Sequence, residues 1–384
     1  MAATGADRRA RAAVLVHFFG NGAGLGVWAA RLPSIKDSVG ISHADVGTVL
    51  FAGGAAALLT LRLAGPVIER VGSRRVVQLA GALAMASFAT VAAVTSFASL
   101  VAAMVLIAAA MSFQDVGMNA QGIFLERRYG RPLMSSFHAA FSIGLAAGAT
   151  AGGAAAAAGV GFRMTLVVVA ALLLAGVLAV NPWLALDPVV APRALEQSGL
   201  PAALPHRGLL VALGLIGLIS FVAEGAVVDW TALYLAEETG APEARAAMGV
   251  VAFSAAMVGG RLAGDRLAGR FGPLPLIVLG TLVAGSALVV GLALGTTIAG
   301  IVCLAVVGVG LSVVVPQVFA AAGTLAPDRT AGALSLVSML SYTGFLIGPA
   351  AIGRLAEQTS IRAALLAPAV LVLVASGIAL RLRR

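Results

Sequence analysis

Three observations predict an all-α integral membrane fold of twelve spanning helices in two pseudo-symmetric six-helix bundles. Mean hydropathy is +1.02, far above that of a water-soluble domain. Apolar runs of spanning length recur to the end of the 384 residues, and the second half of the chain echoes the first. Hydrophobic residues make up 60% of the chain and charged residues 11%. A bilayer core about 30 Å thick takes apolar helices of about 17 to 25 residues, and lipid offers an open chain no other way to satisfy its backbone.

Breaking the apolar runs at charge, proline and turn clusters gives spans at 12–30, 45–63, 75–94, 97–121, 133–158, 162–181, 209–232, 246–263, 273–292, 297–321, 332–352 and 362–380. The first follows Arg8, Arg9 and Arg11, which imitate the start of a secretory signal. No convincing small-residue cleavage site follows, so the stretch reads as an uncleaved helix. Alternating the loops from a cytoplasmic N-terminus places 19 of the 25 Lys and Arg residues inside. That asymmetry predicts an even number of spans with both termini cytoplasmic, in the inner membrane of a bacterium. Residues 182–207 hold Pro182, Pro188, Pro192, Pro201 and Pro205 and read as a cytoplasmic linker between bundles at 1–181 and 208–384.

The echoes sit at nearly constant offsets. Arg62-Leu63-Ala64-Gly65 returns at Arg261-Leu262-Ala263-Gly264, each before a basic turn with Gly72 or Gly272. Gly144, Gly148 and Gly152 are answered by Gly344, Gly348 and Gly353, and Asn21-Gly22-Ala23 before Trp28 by Glu224-Gly225-Ala226 before Trp230. Three offsets between 199 and 203 point to a duplication, and two related bundles around a central site form a transporter architecture.

Several function classes fall away. The formal charge of +9 comes from short arginine clusters between apolar runs, without the basic face or interleaved aromatics of a nucleic-acid binder. Cys303 is the single cysteine, so the chain can form no internal disulfide and no cysteine metal site. No cofactor motif is legible. A membrane enzyme finds no support in a catalytic triad, HExxH, CxxC, phosphate loop or paired carboxylates.

The stretch Gly65 to Arg75, GPVIERVGSRR, resembles the signature of the major facilitator superfamily, with Glu69 where aspartate is usual. A looser copy runs through Gly264, Asp265, Arg266 and Gly272. The resemblance implies alternating access and a cytoplasmic gate motif made of Gly65, Glu69, Arg70, Gly72, Arg74, Arg75, Asp265 and Arg266. There the acid and the arginines would pair and hold the inner side shut; an ordinary positive-inside turn would look similar. Residues 21–36, 115–121, 134–144 and 224–230 resemble a bacterial subgroup that includes a rhizopine-transport-linked membrane protein. More distantly, Asp115 and Asn119 resemble an acid and an asparagine in the fourth span of the fucose–proton symporters. Unlike those, this chain has no acid in its first predicted span.

Buried polar groups carry the remaining signal. A charged side chain at the bilayer centre costs about 2.5 to 3.5 kcal/mol on insertion scales, so such groups face a bundle interior or water. Asp115 therefore faces inward, with Asn119 four residues on along the same helical face and Gln114, Met118 and Gln121 on a neighbouring stripe. Asp115, Glu224 and His138 are the candidates for proton coupling. Asn21, Trp28, Gln114, Asn119, Gln121, Glu224, Asp229, Trp230, Gln317 and Tyr342 are the candidates for substrate contact. His17 is a weaker one. Trp28 and Trp230 read as interfacial residues marking the outer boundary, which places Asn21 and Glu224 near the midplane of the first and seventh spans. Each polar group also has a plain alternative as a hydrogen bond that ties helices together, Asp115 with Asn119 among them.

The glycine series has two readings. Gly144, Gly148, Gly152 and Gly153 resemble the antiporter signature of drug exporters, with Ala149 in place of its proline, and small residues at every fourth position also let helices pack closely. The expectation is a monomeric secondary transporter of a small polar solute such as a polyol, sugar or amino-sugar, coupled to protons. A proton-driven exporter of amphipathic compounds is the alternative.

Overall fold

A computed structural model describes residues 4–130, 133–186, 206–325 and 330–382. The middle of the expected linker, together with Arg131, lies outside them. Among the described residues twelve helical segments are long and apolar enough to cross a membrane, and there are no strands. In chain order the α-helices are α1 (Gly5–Val39), α2 (His43–Val71), α3 (Ser73–Ser87), α4 (Phe97–Tyr129), α5 (Met134–Ala157), α6 (Phe162–Val180), α7 (Arg207–Leu233), α8 (Glu243–Phe271), α9 (Pro273–Leu294), α10 (Thr297–Leu325), α11 (Thr330–Gln358) and α12 (Ile361–Leu382), and α3 reaches spanning length only with the 3-10 segment Phe88–Ala93 that continues it. The protein is an integral membrane protein. It divides into two compact units, one of Met1–Ile41 and Thr48–Pro192, the other of Arg193–Arg384 with Ser42–Gly47.

Several helices outrun the apolar segments that announced them. α1 has 35 residues and is about 50 Å long at 1.5 Å per residue. Its N-terminus is held by a capping box, in which Thr4 accepts from the Asp7 amide and the Asp7 carboxylate accepts from Thr4. Gly40, in the left-handed region, ends it. The same devices bound α4, with Ser96 and Ser99 at its start and Gly130 at its end. Capping satisfies the end groups of each helix, so the charged flanks stay helical beyond the apolar stretch.

The expected gate motif is not a loop. Gly65, Glu69 and Arg70 lie on the last turns of α2, and Arg74 and Arg75 on the first turn of α3. Only Gly72 breaks the helical path, at φ 83°, and Gly272 repeats the break between α8 and α9 at φ 78°. Both positions take a backbone conformation that is essentially reserved for glycine. Asp265 and Arg266 lie within α8, and the Asp265 side chain is outside the described set.

In the first unit α1 and α5 pack backbone to backbone. A Cβ at Gly22 would overlap the Phe141 carbonyl oxygen, one at Gly26 that of Leu145, and one at Gly148 that of Ala23. Lipid is as apolar as leucine, so close van der Waals approach between small residues is what holds such helices together. The glycine series of α5 thus serves close packing. At the arginine-bearing end, Phe18 stacks on Phe137 with ring centroids 5.6 Å apart. That pair sits within a core of Val14, Val77, Met118 and Leu125. Ion pairs and caps close that end: Asp7 Oδ1 lies 2.7 Å from Arg128 Nε, and Glu126 Oε1 accepts from the amides of Leu133 and Met134 at the start of α5.

The second unit repeats the plan, with α7 along α11, α9 beside α10 and α12, and α8 against α10. A π-helical turn over Tyr234–Glu238 extends α7.

Candidate functional site

The site begins with the helical period of α4. Gln114, Met118, Gln121 and Leu125 form one stripe and are fully buried. Asp115, one residue and about 100° further round, is turned off that stripe and is exposed on its unit. It sits close to the middle of a 33-residue helix. Asn119 Nδ2 donates to the Asp115 carbonyl at 2.8 Å and to its Oδ1 at 3.1 Å. The Asp115 to Asn119 bond is therefore local to one helix and does not tie two helices together.

Behind this face runs a buried polar chain. Asn21 Nδ2 donates to Gln114 Oε1 at 3.3 Å, which leaves Gln114 Nε2 to donate to His17 Nδ1 at 3.2 Å. His17 then carries its proton on Nε2 and donates to Asn181 Oδ1 at 3.0 Å. Gln78 Nε2 donates to the Asn181 carbonyl at 2.9 Å. The chain links α1, α3, α4 and the end of α6. His17, a minor candidate from sequence, is its centre.

Several expected contact residues are placed differently. Gln114 and Gln121 are fully buried. The amide of Gln121 is used inside the unit, donating to Ser73 Oγ at 2.7 Å and accepting from the Ala185 amide at 3.0 Å. Both glutamines point into the packed side of α4, because a stripe shifted by one residue from Asp115 is a different face. Trp28 and Trp230 are 2% and 0% exposed, so they are core residues of their bundles and not interfacial markers. Their bulk fills space between helices where a belt residue would lie outside. Gln317 is buried as well. His138 is exposed and meets the Phe18 ring edge-on at 5.3 Å.

In the second unit Glu224 Oε1 lies 3.6 Å from an Arg261 Nη2 on α8. Asp229 is half-buried two turns beyond Phe221 on α7. Tyr342 stacks on Phe221 with centroids 5.2 Å apart, and Phe221 on Phe345 at 4.5 Å. Arg261, Phe221 and Phe345 were not expected as site residues. Phenylalanine inside an apolar run carries no signal of its own, and Arg261 was absorbed in the repeated RLAG turn. At the gate motif, Arg74 Nη2 donates to the Pro182 carbonyl at 3.2 Å. Among the described residues no ion pair reaches Glu69 or Arg70. Exposed pairs of this kind gain little in water. Among the described residues no group of three His, Cys, Asp or Glu converges as a metal site.

Similarity to known proteins agrees with this architecture. The model of the Major Facilitator Superfamily matches residues 13–332 and 213–384. An uncharacterised transporter of that type from Yersinia pestis is 31% identical over 347 residues, covering 90% of this chain and 89% of its own. Membrane protein MosC of Rhizobium meliloti is 31% identical over 357 residues, covering 92% and 85%. Among solved structures, a mutant of the nucleoside transporter NupG superimposes with a TM-score of 0.80 at 15% identity, over 97% of this chain and 100% of that one. The transporter FucP, in the outward conformation, superimposes with a TM-score of 0.62 at 17% identity, over 97% and 98%. With its twelve helices, its duplicated glycine turns and these relatives, the chain belongs to the Major Facilitator Superfamily of transporters.

Proposed function

We propose that the protein is a secondary active transporter that moves a small polar solute by alternating access, coupled to protons. The observation that carries this reading is Asp115: a mid-helix carboxyl exposed on its unit, with Asn119 of the same helix as its one hydrogen-bond partner among the described residues. An ionised carboxylate is too costly to turn toward lipid, so the face that bears it is a wet one. Protonation there would neutralise the group whenever its access to water changes, which is what coupling requires. Asn119 belongs to the solute-contacting set, whereas Asn21, expected there from sequence, is buried in the chain behind it, and Glu224 with Arg261 supplies a second charged element. Membrane orientation follows the arginine asymmetry, with both termini cytoplasmic in the bacterial inner membrane. One chain holds both units, so a monomer suffices.

Proteoliposomes loaded with a pH-sensitive dye test this reading. External polyols, sugars and amino-sugars are added in turn, and at least one is expected to drive proton entry and to exchange with its labelled form. Failure of the whole panel to move protons or to exchange would reject it. The exporter alternative drew partly on the glycines of α5, which also make the close contact with α1.

A further inference from the structure

The first turn of α2, Ser42–Gly47, belongs to the second unit, although α2 continues into the first from Thr48. Its seat is made of glycine. A Cβ at Gly47 would lie 2.7 Å from the Pro349 carbonyl oxygen, and one at Gly353 would lie 2.6 Å from that of His43. Backbone therefore rests on backbone between this turn and the end of α11, at a closeness that only small residues allow. α8, the counterpart of α2 in the duplication, has no such seat: a Cβ at Gly249 would meet the side chains of Thr231, Leu235 and Leu304.

A histidine fastens the seated turn. The His43 amide donates to Glu357 Oε2, at the end of α11, at 3.0 Å. On the ring, Nε2 lies 2.8 Å from Oε2 of Glu237, which stands on the π-helical turn that extends α7, and Nδ1 lies 3.9 Å from Glu357 Oε2. The side chains of His43, Glu237 and Glu357 are 21%, 33% and 46% exposed, so water reaches all three. Of the neighbouring charged groups, Asp45 accepts from the Ser42 amide and hydroxyl on the same turn, and Glu238 from the Arg362 amide at the start of α12. Arg354 follows Gly353 and is exposed, and Lys36 and Asp37 precede the turn at the end of α1. α8 begins with Glu243 where α2 begins with His43, so the second half has no equivalent clasp.

The two ring contacts make different demands on the proton count. Neutral imidazole has one N–H, so when Nε2 donates to Glu237 the Nδ1 lone pair is turned toward Glu357. Imidazolium has an N–H on each nitrogen and suits both carboxylates at once. Histidine changes between these forms between about pH 5 and 8. We infer that the first turn of α2 is an acid-fastened latch, seated on α11 through Gly47 and Gly353 and held by the His43 imidazolium between Glu237 and Glu357. Loss of the ring proton loosens it. Given the transport reading and the orientation proposed above, the ends of α7 and α11 lie on the outer side, so external pH sets how firmly α2 is held there, apart from any coupling at Asp115.

Double electron–electron resonance on the purified full-length protein reads the latch. Spin labels are placed at Ser38→Cys and Gln358→Cys, both exposed positions, in a Cys303→Ser, Asp115→Asn background that removes the native thiol and the coupling carboxyl. A shorter, latched distance and a longer, released one are expected. Their ratio should be about threefold higher at about pH 5.5 than at about pH 8.5, an effect of the size that exposed pairs supply. His43→Gln, a change at a water-reached position, should erase that pH step. Gly47→Val should remove the shorter distance at both pH values, and the histidine variant keeps the test alive if the valine variant misfolds. No pH step in the parent, or an undiminished step in His43→Gln, overturns the latch, as does a shorter distance that persists in Gly47→Val. A pH step in a protein whose wild type carries no flux across proteoliposomes would sink the transport reading and leave the latch standing. Flux without a pH step would do the reverse.

Discussion

Gln114 commits both ends of its amide inside its own unit, accepting from Asn21 and donating to His17. Gln114→Leu would leave buried donors and acceptors on either side without partners. A loss of about 1–3 kcal/mol of stability is expected, read as a lower melting temperature of the purified protein. Asn119→Ala removes only a bond within α4 and is expected to change melting by less than half as much. The sequence separates Asp115 and Asn119 from a neighbouring stripe of Gln114, Met118 and Gln121 without showing which stripe is packed inside. Asp115 was legible because an acid in so apolar a chain has to face water or a partner. That Gln114 and Gln121 turn the other way follows from a register of one residue in a 3.6-residue period, which no pattern of mixed polar and small residues resolves. The tryptophans misled for a related reason: an indole suits a membrane interface and a bundle core equally well, and only packing decides.

At the scale of the helices, glycine has two separable roles. Gly148→Val would drive a branched side chain into the Ala23 carbonyl, separating α1 from α5. Overpacking of this kind is expected to cost about 1–3 kcal/mol, and the same change at Gly176, where a Cβ meets nothing within 4 Å, should cost little. Gly72→Ala meets a conformational obstacle instead. At φ 83° a Cβ is strained whatever the space, and a loss of about 1–3 kcal/mol is expected by thermal melting. The helices themselves were legible throughout, since runs of apolar residues bounded by charge and turn signals need no tertiary information. Their lengths were not, because caps such as Thr4 with Asp7 carry helices past the apolar boundary.

At the scale of the whole molecule, the duplicated plan and the arginine asymmetry make a statement about direction. Arg75 is exposed at the start of α3, and the proposed orientation puts it in the cytoplasm. In a Cys303→Ser background, Arg75→Cys should react with an impermeant maleimide in inside-out vesicles and resist it in right-side-out vesicles. The opposite pattern would invert the orientation.

The central claim is that the Asp115 carboxyl couples solute movement to protons, and one variant tests it most directly. Proteoliposomes carrying Asp115→Asn are given a solute that the wild type accumulates under an imposed pH gradient. Exchange of labelled for unlabelled solute should persist at near wild-type rates while gradient-driven accumulation falls to the level of empty liposomes. Full accumulation by the Asn variant would contradict the account.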